Sequence, residues 1–204
     1  FKIVNALIAL ETGIAPDEKM VIQWDGIQRP IESWNQDLTM NDAFSYSAVP
    51  YFQELARRIG KEKMQKWLDT IGYARRYDRA LIQENLDTFW LDNSVRITAD
   101  EQLGLVKKLY FNQLPFKDRS QRIVKQMMIK EDNSNYKLSY KTGLAVDSAG
   151  YTQGWVVGWI EENMHPYFFS LNVQSTVPGA DIADSREAIL RSILEKMGFF
   201  KGRK

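Results

Sequence analysis

Among the 204 residues there is no cysteine and a single histidine. Without thiols the protein has no disulfide, no thiolate metal site and no cysteine nucleophile. The compartment stays open, because exported proteins also avoid thiols. Any Ser-His-Asp triad would have to use His165, which stands in Asn163-Met164-His165-Pro166, a stretch with the composition of a hairpin turn. Charge of one sign is also lacking: 27 basic against 26 acidic residues leave +1, with no long block of either. Nucleic acid is therefore not an expected partner, since phosphate recognition needs a clustered basic footprint. Nor is there a run of about eighteen apolar residues, so no membrane-spanning helix is expected. We find no internal repeat and no low-complexity segment.

What is present fits a well-packed globular protein, 44% hydrophobic and 12% aromatic, long enough for one core with two lobes. Its most unusual stretch is the first, Phe1-Lys2-Ile3-Val4-Asn5-Ala6-Leu7-Ile8-Ala9-Leu10, closed by Glu11-Thr12-Gly13. Apolar side chains surround the helical wheel, which predicts a helix buried on all sides and ended by Gly13. Lys2 is the misfit. An ammonium taken out of water either reaches a counter-charge or gives up its proton, and a neutral amine can act as a base, form a Schiff base or add carbon dioxide. The alternative is a first-turn lysine that snorkels to the surface. The chain opens on Phe1 inside this helical pattern, without an initiator Met or a signal peptide, so a segment ahead of it is expected.

Further along, Met20 to Trp24 has strand character. Thr39 with Asp42 opens a short helix through Phe44 and Tyr46, and Pro50 suits the start of a helix from Tyr51 to Ile59, stopped by Gly60. A second amphipathic helix spans Lys61 to Ile71 with Met64, Trp67, Leu68 and Ile71 on one face. Tyr73 to Asn93 is expected to be a long surface loop, charged at Arg75, Arg76, Asp78 and Arg79, whose end Phe89-Trp90-Leu91 enters the core. Thr98 and Glu101 form a capping box for a helix to about Phe111 with a buried stripe of Leu103, Val106, Leu109 and Tyr110. After Pro115 another helix runs from near Ser120 to Ile129. The period then changes from 3.6 to 2. Tyr136 to Lys141, Trp155 to Ile160 and Tyr167 to Val173 predict an antiparallel meander, and Asp184 with Glu187 caps a last helix from Ser185 to Met197. The expected fold is α/β of the α+β kind, an antiparallel sheet flanked by helices plus a helical subdomain. It forms one domain over 1–204, with a helical lobe at about 14–130 and the sheet and last helix at about 131–204.

Three features fall in order: Lys2 in an apolar helix, Ser47-Ala48-Val49 at a bend between helices, and Lys141-Thr142-Gly143 on the first strand of the meander. Singly they are weak evidence, since Lys-Thr-Gly arises by chance in roughly 5% of chains this long and Ser-x-Val about once in each. Together they resemble the penicillin-recognising serine enzymes, with their Ser-x-x-Lys, Ser-x-Asn or Ser-x-Val, and Lys-Thr-Gly motifs. Within that group the chain is similar to the class D, oxacillinase-type β-lactamases. Phe1-Lys2 would end Ser-Thr-Phe-Lys, and Ser47-Ala48-Val49-Pro50 has the class D valine. Phe89-Trp90-Leu91, Gly154-Trp155-Val156-Val157-Gly158-Trp159 and Ser185-Arg186-Glu187-Ala188-Ile189 match further segments. The family usually has Tyr-Gly-Asn where this chain has Tyr73-Ala74-Arg75.

The resemblance implies a β-lactam hydrolase that works through an acyl-serine, the serine being expected two positions before Phe1 and absent from these residues. Lys2, in an apolar pocket of Phe1, Val49, Trp90 and Leu91, would become N6-carboxylysine, held by the Trp90 indole, and act as general base. Ser47 would relay a proton, and Lys141 would keep the potential positive. Thr142 and Arg186 would bind the substrate carboxylate beside Gly143, the Leu144 N–H would serve the oxyanion hole, and Trp34 would border the cleft. It further implies no metal, no cofactor beyond carbon dioxide or bicarbonate, and β-lactam antibiotics as partners. The protein would be a periplasmic or secreted monomer or homodimer that confers resistance. Related readings are the β-lactam sensor domain of a transmembrane receptor, which acylates without turnover, and a penicillin-binding transpeptidase. Val49 favours the enzyme over the sensor, which tends to be polar there.

Overall fold

Where apolar residues surround the helical wheel, the chain forms α1 (Lys2–Glu11), and every residue from Ile3 to Leu10 is buried. A computed structural model describes residues 1–75, 82, 85–92, 94–147 and 149–204. Arg76, Asp78 and Arg79 of the expected surface loop, and its last residue Asn93, lie outside the described residues. The chain divides into two compact units, Phe1–Ile97 with Asn112–Met127, and Thr98–Phe111 with Met128–Lys204. The segment Thr98–Phe111, placed with the helical lobe from sequence, thus groups with the sheet.

In the first unit, β1 (Val21–Ile22) and β2 (Leu38–Thr39) form a short antiparallel pair, followed by α2 (Met40–Ser45), α3 (Val49–Ile59) and α4 (Lys61–Ile71). Thr39 caps α2 by accepting the Asp42 N–H at 3.1 Å, as its spacing predicts. Helix α1 packs on α3, where the buried Asn5 donates Nδ2–H to the Phe52 carbonyl at 3.0 Å. The far end of α1 is held by Glu11, which accepts the Lys117 N–H at 2.9 Å and the Ser120 hydroxyl at 2.8 Å. Phe44, Phe52, Leu7, Leu55, Met64 and Leu68 fill the core. Each such side chain removed from water contributes about 1.5–3 kcal/mol.

The second unit begins with α5 (Ala99–Tyr110), whose Thr98–Glu101 capping box is complete. Its buried stripe is Gln102, Leu105, Val106 and Leu109, so the expected stripe through Leu103 and Tyr110 is corrected by a rotation of the helix. Tyr110 instead lays its ring edge-on to Trp159 and Phe168, at 5.5 and 5.4 Å. Helix α6 (Asp118–Met128) starts two residues earlier than expected and runs directly into β3 (Ile129–Asp132). That strand was not expected, because one apolar residue in four shows no alternation. With β4 (Lys137–Val146), β5 (Thr152–Glu162) and β6 (His165–Gln174) it forms an antiparallel sheet in the order β3-β4-β5-β6. The turn between β5 and β6 is Asn163-Met164, both at positive φ, and His165 is the first residue of β6, exposed and paired with Glu162.

Alternation along the strands divides the sheet into two faces. Leu138, Val156 and Ile160 form one core with Leu190, Leu194 and Phe199 of α7 (Ala183–Lys196) and its continuation. Trp159 and Phe168 face the other way, towards α5. The expected Asp184 cap is corrected: Ile182 is the N-cap, and Asp181 accepts the Ala183 N–H at 2.9 Å.

Candidate active site

In the first unit the chemistry-bearing residues sit where α1 and α3 begin. Lys2 is the first residue of α1 and is half-buried, in the first turn as one of its two readings has it; full burial starts at Ile3. Beside it, the Phe1 ring stacks on Trp90 with centroids 4.8 Å apart and planes 22° from parallel. Phe1 also meets Phe89 and Tyr73 edge-on at 4.9 and 5.8 Å. The loop end that sequence assigned to the core therefore gathers on the residue next to Lys2. Phe89 is buried, Trp90 half-buried and Leu91 exposed.

Ser47 follows α2 at φ 55°, a left-handed conformation that costs a residue with a Cβ about 1–2 kcal/mol. The Ala48 N–H bonds to the Ala43 carbonyl at 2.8 Å and the Ser47 N–H to Phe44 at 3.3 Å, the pattern of a Schellman helix end, where glycine is the usual residue in the place that Ser47 takes. Ala48, not Ser47, is the N-cap of α3, and Val49 is that helix's half-buried first residue. Trp34 closes a short 3-10 turn, Glu32–Trp34, and is half-buried.

In the second unit, Lys141, Thr142, Gly143 and Leu144 lie consecutively on β4. Lys141 is buried, and its Nζ donates to the Thr142 hydroxyl at 3.2 Å. Strand β3 pairs with β4 only up to Ser139, while β5 pairs with all of β4. From Tyr140 onward the other side of β4 has no strand beside it among the described residues, which leaves an edge that accepts another extended segment. Leu144 is exposed on it and pairs with Gly154 across the ladder. Arg186 reaches β4 from α7 and donates Nη1–H to the Gly143 carbonyl at 2.7 Å. Burial pushes its guanidinium below the ordinary arginine range, against the pull of Glu187, Asp184 and Asp181. Its Nε is buried and has no hydrogen-bond partner among the described residues. Next to it, Glu187 accepts the Tyr140 hydroxyl, which fastens α7 to the residue before Lys141.

A family model described as the penicillin-binding protein transpeptidase domain matches residues 1–195. β-Lactamase OXA-48 of Klebsiella pneumoniae is 42% identical over 196 residues, covering 96% of this chain and 71% of that protein. The probable β-lactamase YbxI of Bacillus subtilis is 40% identical over 198 residues, covering 97% and 70%. Among solved structures, the class D β-lactamase YbXI from Nostoc matches with a TM-score of 0.90 at 37% identity, over 98% of this chain and 82% of that one. The chain belongs to the class D β-lactamases. That family is one of serine hydrolases, and no helix among the described residues of this member is long and apolar enough to cross a membrane.

For a class D β-lactamase the departure at Tyr73-Ala74-Arg75 has a structural reading. Ala74 has φ 55°, so the backbone keeps a conformation that a glycine would adopt without strain. Arg75 donates to the Asp69 carbonyl near the end of α4 at 2.7 Å. Sequence reasoning missed three supports: Tyr73 and Phe89 around Phe1, Asn5 between α1 and α3, and Glu187 on Tyr140. Asn5 carried a signal, as the one polar residue between Ile3 and Leu10, three positions after Lys2.

Proposed function

We propose that this class D member hydrolyses the cyclic amide of β-lactam antibiotics through an acyl-serine, with Lys2 as its carbamylated general base. The observation that carries the reading is the stack of Phe1 on Trp90, which gathers aromatic rings around the residue next to Lys2. Dry surroundings favour a neutral amine. Its addition to carbon dioxide forms an N–C bond and releases one proton, giving N6-carboxylysine. The carbamate takes the proton of the serine expected ahead of Phe1 as that oxygen bonds to the lactam carbonyl carbon. It gives that proton up through Ser47 to the departing nitrogen as the C–N bond breaks and, a carbamate again, takes a proton from the water that attacks the acyl carbon; that proton returns to the serine oxygen as the acyl group leaves.

Ser47 delivers a proton to the departing nitrogen. Lys141 supplies positive potential, and Thr142 and Arg186 hold the substrate carboxylate, for which a guanidinium offers a fork of donors. The Leu144 N–H, with that of the serine, stabilises the oxyanion, a contribution of about 3 kcal/mol per donor. Gly143 keeps the β4 edge low, and Val49, Leu91 and Trp34 supply apolar contacts. The scheme uses carbon dioxide or bicarbonate and no other cofactor. Penicillins and oxacillin are its substrate class, extending to cephalosporins or carbapenems, and action in the periplasm would confer resistance.

The test is acylation and turnover of a chromogenic cephalosporin by the protein with the serine expected ahead of Phe1, with and without bicarbonate, alongside carbon-13 NMR after labelled bicarbonate at alkaline pH. Expected are a burst, steady turnover that rises with bicarbonate, and a carbamate signal lost in Lys2→Ala. A burst without turnover overturns hydrolysis, and turnover indifferent to bicarbonate overturns the carbamate.

A further inference from the structure

We propose that Trp34 is a positioning residue for Ser47, acting through its indole N–H on the Tyr46 carbonyl. The inference rests on the reading of Ser47 as the proton relay. Serine at φ 55° is held against its own preference, so something must keep the turn from relaxing. Within the turn, the Ala48 bond is short, at 2.8 Å, and the bond from the Ser47 N–H itself is the long one, at 3.3 Å. The Tyr46 carbonyl belongs to the end of α2, where helix carbonyls run out of partners within the helix. The Trp34 indole fills that place, with Nε1 3.1 Å from the Tyr46 oxygen. The peptide leading into Ser47 is thereby fixed from outside α2 and α3.

A brace works only if it is itself rigid, and the loop that carries Trp34 is pinned at several points without a strand of its own. Asn35 pairs with the Arg29 backbone in both directions, accepting its N–H at 2.8 Å and donating to its carbonyl at 2.9 Å. The Arg29 guanidinium donates to Asp25 at 2.8 Å, and Asp37 accepts the Trp24 N–H at 2.8 Å. Exposed connections of this length are ordinarily loose. Here the bonds hold Asn35, the residue after the tryptophan whose donor ends at the Ser47 turn, and the Trp34 backbone N–H itself bonds to the Ile31 carbonyl at 3.0 Å.

Removing the donor while keeping the ring separates this role from contact between ring and substrate. The variants are Trp34→Phe and, to guard against misfolding, replacement of the indole by benzothiophene, which keeps both rings and lacks the N–H. Acylation rates are measured, in the protein with the serine expected ahead of Phe1, on a penicillin, whose amine must leave with a proton, and on a nitrophenyl ester, whose phenolate leaves without one. Ser47→Ala is the benchmark. We expect the benzothiophene variant to slow acylation by the penicillin roughly three- to tenfold, the worth of one neutral hydrogen bond, with KM little changed and the ester nearly unaffected, and Trp34→Phe to show the same penicillin-specific loss on top of a rise in KM common to both substrates from the lost ring contact. Equal losses on both substrates in the benzothiophene variant, or none, overturn the proposal. If Ser47→Ala itself fails to distinguish the two substrates, the relay reading falls, and the brace falls with it.

Discussion

Around Lys2 and Ser47 side chains add to the local backbone bonds that hold the chain, whereas around Lys141 and Thr142 it is held by the backbone of a neighbouring strand. In the first unit the Phe1 ring is fixed by three aromatic neighbours, and the turn at Ser47 is reached by the indole of Trp34. In the second, ten residue pairs align β4 with β5 from Lys137 to Val146, and the Lys-Thr-Gly residues inherit their places from that register. A ladder is insensitive to most side-chain changes but has no room for an added atom between its strands. A turn held by side chains is the reverse. It gives way easily, and it can hold a residue in a conformation that a ladder would not supply.

The largest effect should therefore come from the smallest addition to the sheet. A Cβ placed on Gly158 would lie 2.1 Å from the Ser139 carbonyl oxygen and 2.6 Å from the Tyr140 Cα, both backbone atoms that cannot move without breaking the ladder. Gly158→Ala should destabilise the protein by about 3 kcal/mol or more in urea unfolding. Gly154→Ala meets only side-chain atoms of Arg186 and Ile182, at 3.2 and 3.3 Å, and should cost clearly less. Equal costs would show that the ladder is not the rigid member. At Ser47 the comparison inverts. Ser47→Gly relieves the left-handed strain and should raise stability by about 0.5–1 kcal/mol, after allowing for the flexibility of glycine in the unfolded chain. The same change removes the proposed relay and should slow acylation roughly a hundredfold. A variant that is less stable as well as slower would mean that the hydroxyl holds the turn, not the reverse.

The two regions are also unequally legible from sequence. Alternation and hairpin-length links suffice to lay out β4, β5 and β6, because local pairing decides them, and the Lys-Thr-Gly motif falls on a strand by alternation alone. Strand β3 escapes because Ile129-Lys130-Glu131-Asp132 pairs through its backbone and shows no buried face. Its early end at Ser139 is what opens the β4 edge, so the motif is visible in the residues while its accessibility is not. In α5, Leu103, Leu105, Val106, Leu109 and Tyr110 offer two overlapping stripes, and only packing on the sheet chooses between them. The left-handed φ at Ser47 leaves no trace in the residue type, since glycine is what usually marks it. The bond from Trp34 to Tyr46 spans twelve positions with no pattern to announce it.

The smallest predicted effect concerns the brace at low pH. Hydrogen bonds from Arg29, then from the Ile27 N–H, hold the Asp25 carboxyl down at about 2, against 3.8 for a free aspartate. In the second unit Arg191 likewise lowers Glu131, with the Tyr136 hydroxyl adding to it. A carboxyl with a depressed folded-state value binds fewer protons when folded, so its contribution is fully present above the unfolded value and is lost as pH falls through the folded one. For Asp25 that window runs from about pH 4 to pH 2. Both pairs are largely open to water, so each is worth only about 0.5 kcal/mol or less. Melting followed from pH 5 to pH 2 in Asp25→Asn should therefore show a shallower acid loss than the parent chain, and the difference should shrink in high salt. Curves that fall in parallel throughout that range would mean the Asp25–Arg29 pair is not what stiffens the loop, and the bonds through Asn35 and Asp37 would have to hold Trp34 in place by themselves.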